Sequence, residues 1–107
     1  IKQKYLQQIT RKIKRNKHKI DHKIIIESKM SQNNKILIDL HNNQVSIYKK
    51  KILPNNSHYF KVEPNEFNQW LKGKLTFEEV LGTRRFRYTR KPNIYEVKIM
   101  QVYTNYL

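Results

Sequence analysis

A chain of 107 residues with 23 Lys and Arg against 8 Asp and Glu carries a formal charge of +15 and contains no cysteine. Disulfides, thiolate metal sites and a thiol nucleophile are thereby excluded, and a single domain of this size buries only about two-thirds of its unfolded surface. No apolar run exceeds Ile24-Ile25-Ile26, far short of the ~20 residues of a membrane-spanning helix.

In chain order, Tyr5, Leu6, Ile9 and Ile13 recur at helical spacing and predict an amphipathic helix over residues 2–15. Its other face carries Lys2, Lys4, Arg11, Lys12, Lys14 and Arg15. With no Trp or Phe to seat in a bilayer interface, this helix is expected to pack on the domain rather than lie on a membrane. Residues 16–23 (NKHKIDHK), which include Lys17 and Lys19, read as a polar arm that orders only on binding.

Residues 24–27 allow a short strand and 28–34 a polar connector. Residues 35–40 and 45–48 predict two strands joined at His41-Asn42-Asn43-Gln44, where an Asn can supply the positive φ of a hairpin turn. Lys49, Lys50 and Lys51 form a basic knob after the second strand. Pro54-Asn55-Asn56-Ser57 is a further turn, and 58–62 a third strand.

Pro64 suits the first turn of a helix whose buried face is Phe67, Trp70 and Leu71, stopped at Gly73. Thr76 with Glu79 three residues on is a capping box, followed by Phe77, Val80 and Leu81 on one face and Gly82 at the stop. Residues 86–89 are expected to be extended. The tail from Tyr95 to Tyr103 alternates loosely and reads as strand rather than helix.

Chemistry is sparse. The acids are scattered, and Glu79 is absorbed by its capping role. His18, His22, His41 and His58 lie in polar surroundings with no cluster to complete a metal site. There is no phosphate-cradling Gly-rich loop and no nucleophile elbow. The sequence therefore predicts no catalytic residues, no metal and no cofactor.

What stands out is Arg84, Arg85, Arg87, Arg90 and Lys91 with Phe86 and Tyr88 between them. In an extended chain Phe86 and Tyr88 point to one face and Arg85 and Arg87 to the other. Two readings stay open: a phosphate-binding surface, since guanidinium pairs with phosphate through two parallel bonds, or a solvated basic strand whose aromatics face a core. The charge of the whole chain favours the first, because so many cations on a small body repel one another unless a polyanion neutralises them. The main contacts would come from these five residues, with Lys12, Lys14, Arg15, Lys17, Lys19, Lys49, Lys50 and Lys51 in support.

The order of motifs resembles the nineteenth small-subunit ribosomal protein family. Tyr5-Leu6-Gln7-Gln8-Ile9 stands where that family has its first basic helix, and Ser28-Lys29-Met30-Ser31 where it has a Ser-Arg-Arg-Ser-like element. Ile47-Tyr48-Lys49-Lys50, His58-Tyr59-Phe60-Lys61-Val62, Gly73-Lys74-Leu75 and the run from Glu79 to Phe86 are similar to its later motifs. The resemblance implies a structural protein of the small-subunit head. Ribosomal RNA and neighbouring small-subunit proteins would be its partners, with no membrane and no small-molecule substrate, in a ribosome of mitochondrial type. A second resemblance is local and ungapped: the stretch from Trp70 to Leu81 is similar to the Gly-Lys-Leu-Thr segment of sterol-carrier-like domains, which occur alone or appended to metallo-β-lactamase-fold hydrolases. That resemblance implies an apolar tunnel lined by Phe67, Trp70, Leu71 and Phe77. It ranks second because it leaves the charge without a purpose.

The resulting expectation is an α+β fold. It comprises a basic N-terminal helix, a small antiparallel sheet of three to four strands, one or two short helices and an extended basic C-terminal part. Residues 1–23 would form helix and arm, 24–91 the RNA-binding domain and 92–107 an extension.

Overall fold

The apolar run Ile24-Ile25-Ile26 forms the middle of the molecule. Three consecutive β-branched residues favour a strand buried on both faces, and all three are fully buried in β1 (Lys23–Ser28). The computed structural model describes residues 1–30, 34–91 and 96–107. The expected connector at 28–34 and the start of the C-terminal extension, including Tyr95, lie partly outside the described residues.

Around β1 stand β2 (Lys35–Asp39), β3 (Gln44–Tyr48), β4 (Ser57–Val62) and β5 (Phe86–Lys91), in the order β3-β2-β1-β4-β5. The neighbours β1–β2, β2–β3 and β4–β5 are antiparallel, whereas β1 and β4 run parallel, with Ile24 opposite His58 and Ile26 opposite Phe60. The sheet is therefore mixed and five-stranded, not antiparallel with three to four strands.

Four helices cover one face: α1 (Gln3–Ile13), α2 (Pro64–Leu71), α3 (Phe77–Gly82) and α4 (Val97–Asn105). Each contributes its apolar stripe to one shared core with Ile24, Ile26, Ile36, Ile38, Phe60 and Val62 of the sheet. From α1 come Leu6, Ile9 and Ile13, from α2 Phe67, Trp70 and Leu71, and from α3 Phe77 and Val80. Ile99, Val102 and Tyr103 complete it from α4. Residues 97–105 are thus a helix, not a strand. The spacing of Ile99, Val102 and Tyr103 is helical, and burying those three outweighs the loose alternation with Val97.

Several local expectations are met. Asn43 takes φ 52 in the β2–β3 turn, and the capping box of α3 forms in full, with Thr76 and Glu79 each bonding the other's backbone N–H. Gly73 adopts φ 75 after α2, but after α3 the left-handed residue is Arg84, φ 59, rather than Gly82. The arm at 16–23 is ordered without a partner. Asn16 is buried, its Nδ2 donating to Asn43 Oδ1 at 3.2 Å while Asn43 Nδ2 donates to the Asn16 carbonyl at 2.7 Å, and Ile20 enters the core.

The link from β3 to β4 explains the other face. Since β3 and β4 point the same way with β1 and β2 between them, residues 49–56 must cross diagonally from one end of the sheet to the other. They do so behind it: Lys35 Nζ donates to the Lys50 carbonyl at 3.0 Å and Lys91 Nζ to the Leu53 carbonyl at 3.4 Å. On this face Ile25 and Glu27 are buried, although the described helices pack on the other. Glu27 answers Lys35 at 3.3 Å and accepts from the Tyr59 hydroxyl at 2.7 Å.

Candidate functional site

The basic strand β5 sits at one edge of the sheet, and its alternation divides it. Phe60 faces Tyr88 and His58 faces Arg90 across the β4–β5 ladder, so Phe86, Tyr88 and Arg90 point to the helices. Arg87, Thr89 and Lys91 point behind. Of the two readings the sequence leaves open for this stretch, its aromatics do face inward.

Between β4–β5 and the helices α3 and α4 lies a cavity of about 350 Å³. Phe60, Leu81, Phe86 and Met100 form its apolar walls, and Tyr88, Tyr103 and Arg90 complete the lining. Phe60 is the hub, with ring centroids 4.7 Å from Tyr88, 5.3 Å from Tyr103 and 5.7 Å from Phe86. The Tyr103 hydroxyl is buried with no hydrogen-bond partner, and burial pushes its pKa up, so it keeps its proton. Arg90 stacks over the Tyr88 ring at 5.8 Å and meets no carboxylate among the described residues.

Beside the cavity, His58 Nδ1 is 2.6 Å from the Tyr88 hydroxyl, and the His22 ring packs edge-on to His58 at 5.3 Å. Burial, then the fields of His22 and Arg90, lower the His58 pKa to about 4 against a smaller opposing pull from Glu96. The imidazole is therefore neutral near pH 7. What these groups make is an apolar chamber with a buried, unpartnered hydroxyl on one lining residue and an uncompensated cation at its edge, suited to holding an amphiphile. A second hollow, about 460 Å³, lies between the start of α1 and α2. No unpartnered buried side-chain polar atom among the described residues belongs to its lining, whereas Tyr103 belongs to that of the chamber on the helix side of β5, which is the stronger candidate.

The other residues singled out from the sequence are dispersed. Arg84 is exposed in the α3–β5 turn, and Arg85 is paired with Glu66 at 3.2 Å. Lys91 ties down the crossing segment, at whose start Lys49, Lys50 and Lys51 stand exposed. Lys12, Lys14, Arg15, Lys17 and Lys19 lie along the end of α1 and beyond it, with Arg15 over the Tyr106 ring at 5.8 Å. Of the predicted tunnel residues, Trp70 and Phe77 are closed core, while Phe67 and Leu71, no more than 6% exposed, line the second hollow rather than the chamber. Phe60, Leu81, Met100 and Tyr103, which do line the cavity, carry no sequence signal beyond their apolar spacing.

No protein-family model matches this sequence, and no curated protein does. Solved structures do. A sterol carrier protein 2 like-3 from Aedes aegypti superposes over 94% of this chain and 92% of its own, at 9% identity and a TM-score of 0.65. A crystal structure of sterol carrier protein 2 matches over 97% and 88%, at 8% identity and a TM-score of 0.61. The solution structure of palmitated SCP2L2 from Aedes aegypti matches over 92% and 90%, at 11% identity and a TM-score of 0.59. The fold of this chain is therefore that of sterol carrier protein 2. That finding overturns the expected ribosomal family, and with it the role as a ribosome constituent, the ribosomal RNA and the small-subunit protein partners. The local resemblance of the stretch from Trp70 to Leu81 pointed to the right fold.

Proposed function

We propose that this chain binds a lipid, held with its apolar part in the chamber between β4–β5 and α3–α4. The observation that carries the reading is the Tyr103 hydroxyl, buried against apolar walls with no partner. A buried polar group left unpaired costs about 1–3 kcal/mol. A ligand oxygen reaching it recovers that cost, while the rings of Phe60 and Phe86 and the side chains of Leu81 and Met100 take up an apolar chain. At about 350 Å³ the chamber falls within the range of small-ligand pockets. One structural neighbour is described as palmitated, which supports an acyl chain as the occupant here. The earlier expectation of no small-molecule ligand is replaced accordingly. The reading is one of binding, and no catalytic step belongs to it.

The test is displacement of a fluorescent fatty acid from the purified chain, alongside Leu81→Trp and Met100→Trp, which fill the chamber. Saturable binding that is lost in both filled variants, with their far-UV spectra intact, is the expected result. No binding, or equal binding in the filled variants, defeats it.

A further inference from the structure

Behind the sheet, at the end that residues 49–56 leave uncovered, three cations on adjacent strands share one face. Lys61 of β4 stands directly opposite Arg87 of β5, and Lys61 is also level with Glu27 of β1. Lys29 follows β1, its N–H bonding the Val62 carbonyl at 2.9 Å, so its side chain leaves on the same side as Glu27. Lys29, Lys61 and Arg87 line a polar hollow of about 240 Å³. Like charges directly opposite on neighbouring strands destabilise a sheet. Here the repulsion is built into the backbone register and cannot be relieved by a loop moving away.

The local acids do not cancel it. Glu63 is taken by Lys29 at 2.6 Å. Glu27 is shared by Lys35 at 3.3 Å, the Tyr59 hydroxyl at 2.7 Å and, more distantly, Lys61 at 3.8 Å. Arg87 meets no carboxylate among the described residues. Four cations against two carboxylates leave two positive charges uncompensated, and the Arg87 fork can bind a pair of oxygens. A phosphate monoester carries about −1.5 to −2 at neutral pH and offers three acceptor oxygens.

We propose that Lys29, Lys61 and Arg87 form a binding site for a phosphate monoester dianion, on the face of the sheet opposite the apolar chamber. The site is independent of the lipid reading, because the β4–β5 pair separates the two.

The probe is inorganic phosphate, titrated into the whole chain at constant ionic strength with chloride as the balancing ion, and followed by amide shifts. The site predicts saturable shifts confined to residues around Lys29, Lys61 and Arg87, about tenfold weaker binding in Arg87→Gln and in Lys61→Gln, and no change in Arg84→Gln, as expected for losing one hydrogen bond to a charged group. Both affected side chains are exposed enough for the rest of each spectrum to stay unchanged, which verifies the fold. A second arm compares retention on phosphatidylcholine vesicles with and without phosphatidic acid. If phosphatidic acid adds retention that Arg87→Gln removes, the phosphate is a lipid headgroup. If phosphate saturates the site but vesicle retention ignores Arg87→Gln, the ligand is a soluble phosphate monoester. Shifts spread over all the basic segments and linear in phosphate overturn the site.

Discussion

The indole N–H of Trp70 donates to the main-chain carbonyl of Leu107 at 3.0 Å, and the same carbonyl accepts the Phe77 N–H at 2.9 Å. One oxygen near the end of α4 thus joins α2 to α3. Trp70→Phe keeps most of the ring but removes the donor, and should cost about 2 kcal/mol from the lost bond and the small void together. Urea unfolding measures it. An unchanged midpoint would show that the bond contributes nothing.

Tyr103 separates stability from binding. Tyr103→Phe deletes a hydroxyl that has no partner in the unliganded chain, so the empty protein should be as stable or more so by about 1 kcal/mol. Fatty-acid affinity should fall by about tenfold, because the ligand oxygen loses its donor. Lower stability with unchanged affinity would place the hydroxyl outside the binding site.

Acid should weaken the fold through His58. Its pKa is about 4 when folded and near 6.5 when unfolded, so between these values the unfolded chain binds the extra proton. Stability from this residue is complete above pH 6.5 and declines as the pH falls toward 4. Further down, Glu63 joins in, since the hydrogen bond from Lys29 holds its pKa below the usual value and its contribution is lost on protonation. Melting curves from pH 8 to pH 4.5 should show the decline beginning near 6.5, and His58→Gln should flatten its upper part. A profile flat down to pH 5 in the native chain would refute the assignment.

The two glycines should respond with opposite sign. At Gly73 φ is +75, so Gly73→Ala forces a side chain into left-handed backbone and should destabilise by about 1 kcal/mol. Gly82 is helical, with open space where a Cβ would stand, and Gly82→Ala should stabilise by up to about 1 kcal/mol. Paired thermal melts decide it.

Local chemistry was legible and long-range pairing was not. The Thr76–Glu79 box, the Asn43 turn, Pro64 at the head of α2 and the inward set of Phe86 and Tyr88 all follow from residues a few positions apart. The parallel pairing of β1 with β4 joins segments with two strands between them, and no local pattern encodes it. For the same reason the chamber was invisible: Phe60, Leu81, Met100 and Tyr103 come from three elements whose meeting depends on that pairing and on α4. Total charge misled because it ignores direction. Alternation sends Arg87 and Arg90 to opposite faces, Arg85 turns to Glu66, and Lys91 is spent on a backbone carbonyl. The resemblance of the stretch from Trp70 to Leu81 named the fold but placed its tunnel on Trp70 and Phe77, which the core closes, and on Phe67 and Leu71, which line the other hollow.

The diagonal run of residues 49–56 also bears on assembly. The β1–β2–β3 meander pairs segments adjacent in the chain, whereas β4 meets β1 across two intervening strands. The meander is therefore expected to form before the parallel partner docks, which folding kinetics of point variants in each pair would check. Pairing of distant segments is the slow part of forming any sheet. Once laid down, that run keeps the amides of Ile24, Ile25 and Ile26 from solvent on the side no helix shields, and they should be among the last in the protein to exchange their hydrogens for deuterium.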